Sequence, residues 1–226
     1  MMGEFRRAVA GVLAAGFAVV TGLALTGCSA PAYVYAADGA DHAYFKVPSS
    51  WPEVSPQFVS QVQQGLLGKS LAGAAGGSYA WTRVYTAEAS PGLTALLAAS
   101  NQPVVYASVQ NINKSLRAGL SFNVMQDLLF PVTAAGRQAA SAAGEKLTGF
   151  QLISNVLLTN SSGMRGINEL YEYTVNGQPD AFDQTVMTNS ETTKLYLLLV
   201  QCYQACFISH RPQIATVVNS FTVDGS

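Results

Sequence analysis

Charged side chains are scarce in this sequence of 226 residues. Lysine, arginine, aspartate and glutamate make up 11% of it, against about 25% in typical soluble proteins, and the net charge is −1. No cluster of lysines and arginines is present, so the chain lacks the basic surface that nucleic-acid binding requires. Apolar residues nevertheless make up 49%, which is enough to build a core and excludes a disordered, highly solvated chain.

Histidine, on which many catalytic and metal sites depend, is almost as scarce. The only two are His42 and His210, and a Ser-His-Asp triad would have to use one of them. A nucleophile motif of the form G-x-S-x-G is absent. Asp38, Asp41 and His42 lie in a linker-like segment, where solvated side chains are more common than a metal site. The sequence therefore predicts no metal, no cofactor and no catalytic residue.

Carboxylate pairs of the kind that glycosidases use would have to come from two strand-like runs. The candidates are Glu169 with Glu172, and Asp180 with Asp183. Each pair is three residues apart, so on a strand its members point to opposite faces. We therefore expect exposed, solvated acids rather than a catalytic pair.

Residues 1–27 have the pattern of a secretory signal. Arg6 and Arg7 form its positive start, and residues 8–25 are uncharged and mostly apolar. An uncleaved transmembrane anchor is the alternative, because a run of this length can just span a bilayer. The small residues and the cysteine that end the run favour cleavage.

The tetrapeptide Leu25-Thr26-Gly27-Cys28 resembles the lipobox of bacterial lipoproteins. In that family the cysteine is diacylglycerylated and the signal is cut before it. The resemblance implies a chain that begins at Cys28 and is held by its lipids on the extracytoplasmic face of the cell membrane. Residues 28–42 then form a short tether, and residues 43–226 form a single globular domain. The longest later apolar run, residues 195–200, is too short for a second span.

Cysteine is scarce as well, and the positions of the three cysteines agree with export of the chain. With Cys28 lipidated, Cys202 and Cys206 remain, and an even pair in an exported chain suggests a disulfide. On a straight strand, residues four apart lie about 13 Å from each other, whereas a disulfide needs Cα atoms within about 7 Å. The strand should therefore end near Cys202 and the chain should coil through residues 203–205. Two buried free thiols are the alternative.

Four strand-like runs fill the second half of the chain and are joined by short, turn-forming stretches. Connections this short make neighbouring strands antiparallel, because a parallel crossover needs about a dozen residues. The runs are residues 150–159, 167–175, 181–188 and 193–202. Residues 195–200 are apolar on both faces, which predicts a central strand covered by helices on at least one side.

Helices are predicted before and after this meander. Serine caps a helix and proline suits its first turn, so Ser55-Pro56, Ser90-Pro91 and Ser121 begin helices. Residues 134–143 are rich in alanine, and Pro212 begins a last amphipathic helix. Strands are also predicted at residues 43–47, 79–86 and 104–110. The fold class is α+β, an antiparallel meander packed with amphipathic helices.

These elements resemble those of a known fold, and the residues that carry the resemblance are ones that pack rather than react. Phe45, Pro48 and Trp51, the meander, and the helix-strand end of the chain resemble the Mog1/PsbP-like fold, in particular actinobacterial envelope lipoproteins of the LpqN type. The residues of that end are Ile214, Val217, Val218, Ser220, Phe221 and Val223. Members of this fold are mostly interaction modules, among them a photosystem subunit and a regulator of a nuclear-transport GTPase. The resemblance implies a binding module and brings no catalytic residue with it.

Two functions remain open at this point. The first is non-catalytic binding of an envelope protein or an amphiphilic ligand, and the second is hydrolysis of cell-wall or lipid esters. Tyrosine and tryptophan suit interfaces and lipid or sugar pockets, but they also cover sheets. Those that crowd the first half are Tyr33, Tyr35, Tyr44, Trp51, Tyr79, Trp81, Tyr85 and Tyr106.

Overall fold

The structure is a computed structural model that describes residues 31–67, 78–89, 91–92 and 98–224, with only the backbone for residues 62–67. Nine strands lie in these ranges: β1 (Tyr33–Asp38), β2 (Ala43–Pro48), β3 (Ser78–Thr86), β4 (Val104–Asn111), β5 (Leu147–Thr159), β6 (Arg165–Val175), β7 (Gln178–Thr188), β8 (Lys194–Tyr203) and β9 (Thr222–Val223). The same ranges contain six helices: α1 (Pro56–Leu67), α2 (Lys114–Gly119), α3 (Phe122–Gln126), α4 (Ala134–Ala142), α5 (Gln204–Ser209) and α6 (Arg211–Asn219).

Six strands form one antiparallel sheet in the order β3-β4-β8-β7-β6-β5. The predicted meander is confirmed, because β5 to β8 are neighbours in sequence and in the sheet. The turn between β6 and β7 is Asn176-Gly177, and both residues have positive φ, as a two-residue hairpin turn requires. The α+β class is confirmed as well.

A second antiparallel sheet has three strands in the order β1-β2-β9. Its strand β1 corrects part of the tether prediction, since residues 33–38 pair with all six residues of β2. The expectation of a tether rested on the small residues of this segment. Backbone pairing does not need large side chains, and small Ala36 is buried against the core between the sheets.

The first face of the six-stranded sheet packs against the chain between β4 and β5. Buried side chains of five strands meet buried residues of α2, α3 and the loops beside them. Those from the sheet include Val84, Tyr106, Ile167, Tyr171, Phe182, Val186, Leu197 and Leu199, and those from the cover include Leu116, Leu120, Met125, Leu128 and Val132.

The second face packs against the three-stranded sheet and helices α5 and α6. Phe45 and Val47 of β2 meet Leu198 and Val200 of β8, and α6 contributes apolar residues to the same core. Strand β8 is therefore central and covered on both faces, so that prediction is confirmed.

Two of the predicted helix starts agree with the structure. Helix α1 begins at Pro56, as predicted. The Ser121 hydroxyl accepts a hydrogen bond from the Val124 amide at 3.3 Å and caps α3. The helix predicted from Ser90-Pro91 falls largely outside the described residues.

Helix length bears on membrane insertion. Among the described residues, no helix is long and apolar enough to cross a membrane.

Candidate ligand groove between helix α1 and strand β3

A groove lies where the chain leaves the small sheet and begins helix α1. Residues 52–54 run along the outer edge of β3, with the Val54 amide donating to the Val84 carbonyl at 2.8 Å and the Thr86 amide donating to the Pro52 carbonyl at 3.3 Å. These bonds hold Pro56 and the first turn of α1 beside β3.

Two adjoining cavities form this groove and share Glu53 and Val54. The first has about 340 Å³ and a mostly apolar wall, which includes Pro52, Val54, Phe58 and Pro91. The second has about 270 Å³ and more polar groups; its lining includes Ser60, Tyr79, Thr82 and Arg83. The first volume is at the small end of the range for small-molecule sites, about 300–1,000 Å³, and the second is just below it.

An ion pair lines the second cavity, and its Glu53 also lines the first. The Arg83 Nε lies 3.0 Å from the Glu53 Oε1, and both side chains are close to half exposed. An exposed pair of this kind contributes at most about 1 kcal/mol to stability. The Tyr85 hydroxyl donates to the other Glu53 oxygen at 3.4 Å, and burial, aided by the Glu53 charge, raises the pKa of Tyr85 to about 12.

Two tyrosines lie at and below the second cavity. Tyr79 lines this cavity, and neighbouring Tyr106 is buried beneath the sheet surface. The Tyr79 and Tyr106 hydroxyls are both buried and interact with each other. Burial raises the pKa of Tyr79 to about 12 and that of Tyr106 further, so both hydroxyls keep their protons.

The aromatic residues that crowd the first half thus have two roles. Trp51, Tyr85 and Tyr106 are buried and cover the sheet, as the simpler interpretation predicts. Tyr79 and Trp81 are only partly buried and line the groove.

The predicted disulfide joins two secondary-structure elements. Cys202 and Cys206 are bridged, with Cα atoms 5.9 Å apart. Strand β8 ends at Tyr203, as predicted for this region, but the chain then enters helix α5 instead of a coil. Helical backbone shortens the distance per residue, which brings the two Cα atoms into bonding range.

His210 does not form a catalytic constellation. Its Nδ1 lies 3.0 Å from the Cys206 carbonyl oxygen and 3.1 Å from the Ser209 hydroxyl, which itself donates to that carbonyl. Its ring packs edge-on against Trp51. No carboxylate among the described residues bonds to the ring, so the acid and the free nucleophile of a triad are both missing there.

The expectation of exposed acids is wrong for Glu169. This carboxylate is fully buried and accepts hydrogen bonds from Gln126 at 2.7 Å and Asn155 at 3.1 Å. Burial raises its pKa. The physical reason is the cover formed by helix α3, which closes over this position of β6. Glu172 lies on the opposite face and accepts from Gln204, so the two acids do not meet.

The same expectation is wrong for Asp180, which is 4% exposed. Burial raises the pKa of Asp180 and that of Asp183 to about 6 each. Asp183 accepts a hydrogen bond from Asn168 at 2.8 Å, on the opposite face of the sheet from Asp180. Neither pair of acids therefore forms a glycosidase-like site.

The remaining predicted site residues are near the amino terminus. Asp41 pairs with Lys194, with the Nζ and the Oδ1 2.6 Å apart. Across the described ranges, no three histidine, cysteine, aspartate or glutamate side chains are grouped to hold a metal. Cys28 and the signal segment, residues 1–27, lie outside the described residues.

Comparison with known proteins gives similarity in structure only. No family model and no curated protein matches the sequence. Similar solved structures include cyanobacterial PsbP from Synechocystis, at 15% identity and a TM-score of 0.47 over 88% of this chain and 96% of that one. LpqN of Mycobacterium tuberculosis, involved in cell envelope biogenesis, has 14% identity and a TM-score of 0.45 over 84% and 90%. The Ran-binding protein Mog1p of Saccharomyces cerevisiae has 9% and 0.41 over 85% and 96%.

These three proteins are of the kinds that the sequence resemblance named. Similarity at these identities and TM-scores assigns no ligand and no partner to this chain. Its α+β class follows from its own strand order, and its candidate site from its own cavities.

Sequence reasoning identified some groove residues and missed others. Tyr79 and Trp81 stood out through their residue type, whereas Val54, Phe58 and Thr82 did not. The pairing of residues 52–54 with β3 spans about thirty positions of sequence, and no local pattern in the chain signals it.

Proposed function

We propose that this chain is a lipid-anchored envelope protein that binds an amphiphilic ligand, without catalysis, in the groove between α1 and β3. The observation that carries the proposal is the pairing of an apolar cavity with a polar one. An amphiphile has an apolar part, for the wall that Phe58 and Val54 form, and a polar part, for the Ser60 hydroxyl and the Arg83 guanidinium.

The same geometry favours binding over ester hydrolysis. Hydrolysis by a serine triad needs a hydroxyl free to attack, a histidine that accepts its proton and an acid that orients the histidine. His210 lies near the Cys202–Cys206 bridge, and its neighbour Ser209 donates to a backbone carbonyl. Neither residue lines the two cavities.

The anchoring part of the proposal rests on the sequence. The lipobox resemblance at residues 25–28 assigns Cys28 as the lipidated amino terminus. Two or three acyl chains bind a membrane firmly, because each buried methylene adds about 0.8 kcal/mol. Mass spectrometry of the protein from the membrane fraction should find a terminal peptide that begins at acylated Cys28. An intact Met1 start would contradict the anchoring, while leaving the groove proposal to its own test.

Ligand binding can be measured on the full chain with the fluorescent fatty acid dansylundecanoic acid. Phe58→Asp places a charge in the apolar cavity and should weaken the binding of this probe by about tenfold or more. Ile208→Asp is the matched control, because Ile208 is an exposed apolar residue of α5 outside the groove. Equal affinity of the wild type and Phe58→Asp would refute the groove as the binding site.

Hydrolysis is tested separately with p-nitrophenyl butyrate. We expect no release of nitrophenol above the buffer rate. Release that Ser209→Ala or His210→Ala abolishes would favour the hydrolase.

A further inference from the structure

Three tyrosines of the aromatic-rich first half are neither fully buried nor part of the groove. Tyr33 and Tyr44 are half-buried, and Tyr35 is 73% exposed. All three belong to strands β1 and β2 of the three-stranded sheet. Their positions in that sheet decide whether they form one surface.

Strand β2 shows which face of the three-stranded sheet is buried. Its residues Ala43, Phe45 and Val47 are at most 1% exposed. Tyr44 and Lys46, which alternate with them, are half-buried. Successive side chains of a strand point to opposite faces. The first set therefore packs into the core between the sheets, and Tyr44 and Lys46 lie on the outer face.

The register places two tyrosines of β1 on the same outer face. Tyr35 is paired with Lys46, and residues directly opposite each other in a strand pair share a face of the sheet. The Lys46 Nζ lies 5.6 Å from the centre of the Tyr35 ring, within the range of a cation–π contact. Tyr33, two residues before Tyr35, lies on this face as well. Together Tyr33, Tyr35, Tyr44 and Lys46 are the tyrosine face.

The tyrosine face carries a positive charge and no negative one. The other residues of β1, β2 and β9 with the same alternation are Ala37, Pro48 and Thr222, and none is an acid. Asp38 alternates with the buried side of β1 and lies at the end of the sheet away from Tyr33, and Asp224 follows β9 at that same end. Anionic lipid headgroups attract a surface that carries an unopposed lysine such as Lys46.

The predicted site of lipid attachment lies close to this face along the chain. Strand β1 begins at Tyr33, so the step from Cys28 to Tyr33 is five residues. An extended chain spans at most about 3.6 Å per residue, so acyl chains on Cys28 would hold Tyr33 within about 18 Å of the headgroups around them. A linker of this length cannot keep the domain far from the bilayer.

We propose that the tyrosine face lies on the membrane that holds the acyl chains of Cys28, with its rings among the lipid headgroups; this rests on the lipidation of Cys28 proposed above. Tyrosine combines an apolar ring with a polar hydroxyl and is enriched where membrane meets water. Lys46 keeps its stem on apolar surface while its ammonium group reaches a headgroup phosphate. The anchor keeps the membrane permanently within reach, whereas a protein partner has to diffuse to this face.

Fluorescence of the acylated full chain in vesicles tests this proposal. Ala37→Cys puts a thiol on the tyrosine face and removes none of its tyrosines. Ala118→Cys is the matched control, because Ala118 is an exposed alanine of α2, which covers the first face of the six-stranded sheet, whereas the three-stranded sheet packs on the second. The acyl group and the disulfide occupy the native cysteines, so a nitrobenzoxadiazole dye labels the new thiol.

The vesicles consist of phosphatidylcholine and phosphatidylglycerol. We expect the dye at position 37 to emit at shorter wavelength and to be shielded from quenching by iodide, because it lies among the headgroups. The dye at position 118 should stay in water and remain accessible to iodide.

Charge reversal supplies a second measurement. Lys46→Glu replaces attraction to phosphatidylglycerol by repulsion and should lower the ratio of shielded to accessible dye at position 37 by about fivefold or more. Lys114→Glu makes the same change on α2 and should leave that ratio unchanged. Circular dichroism checks that both variants fold.

The possible failures are distinguishable. A dye at position 37 as accessible as the one at position 118, on a chain whose mass shows acylated Cys28, would overturn the proposal and leave the anchoring intact. Shielding in native membranes but not in vesicles would assign the face to a protein and overturn the proposal too. A chain without acyl groups on Cys28 would overturn the anchoring and the proposal together.

Discussion

Buried acids are the single residues at which this chain departs most from what its sequence predicts. Glu169 and Asp180 were expected in solvent because acids three apart on a strand point to opposite faces and cannot form a catalytic pair. The expectation fails because the sheet is covered on both faces, so a side chain on either face can be buried. Which acids become buried depends on the segments that cover β6 and β7, and that placement is not encoded locally.

Asp180→Asn should make stability less dependent on pH. Burial raises the pKa of Asp180 from 3.8 to about 6, so the folded state favours the neutral acid. Its stabilising contribution is present below pH 4 and is lost as the pH rises through 6. Between pH 4 and pH 7 the free energy of unfolding should therefore fall less in Asp180→Asn than in the wild type, by roughly 1–3 kcal/mol. Urea titrations at the two pH values measure this, and parallel curves would contradict it.

The disulfide gives a second prediction at this scale. Cys206→Ala should lower the free energy of unfolding by about 2 kcal/mol, the loop-closure value for a five-residue loop. The intact mass of the native chain should rise by about two hydrogens on reduction, as a reduced disulfide requires. If iodoacetamide alkylates both cysteines without reductant, the bridge is absent from the native protein.

At the scale of elements, the sequence predicted those strands whose residues and bounding turns carry a local signal. The four strands of the meander are rich in β-branched and aromatic residues and are separated by turn residues, so their positions were predicted to within a few residues. Strand β1 was missed because half of YVYAAD is small or acidic. Helix α2 was missed because it has six residues and a single buried side chain, Leu116.

The junction between α3 and α4 depends on one carboxylate. Asp127 accepts hydrogen bonds from the Val132 and Thr133 amides, each at 2.7 Å, and from the Thr133 hydroxyl at 2.6 Å. The same hydroxyl caps α4 by accepting from the Gly136 amide at 2.9 Å.

Asp127→Ala should therefore lower the free energy of unfolding by about 2–4 kcal/mol, because two partly buried amides lose their acceptor. Asp127→Asn keeps one carbonyl oxygen and should cost about half as much. Thermal and urea denaturation measure both variants. Equal stability of Asp127→Ala and the wild type would show that water replaces the carboxylate without loss.

At the scale of the whole molecule, the two sheets and their helices leave two surfaces available for interaction. The groove between α1 and β3 is at one edge of the six-stranded sheet, and the tyrosine face is on the three-stranded sheet. The tyrosines of that face were readable from the sequence as part of its aromatic-rich first half, whereas the groove was not, because it depends on a long-range pairing.

The central claim is that the groove holds an amphiphilic molecule in the cell envelope. The most direct test places a photo-reactive benzoylphenylalanine at position 58 of the full chain. Whole cells are irradiated, and the intact mass of the purified protein is measured by mass spectrometry. The same side chain at position 208 is the control, since Ile208 is exposed and outside the groove. We predict a discrete added mass of an amphiphile at position 58 that is absent at position 208. No adduct at position 58, or the same adducts at both positions, would contradict the account.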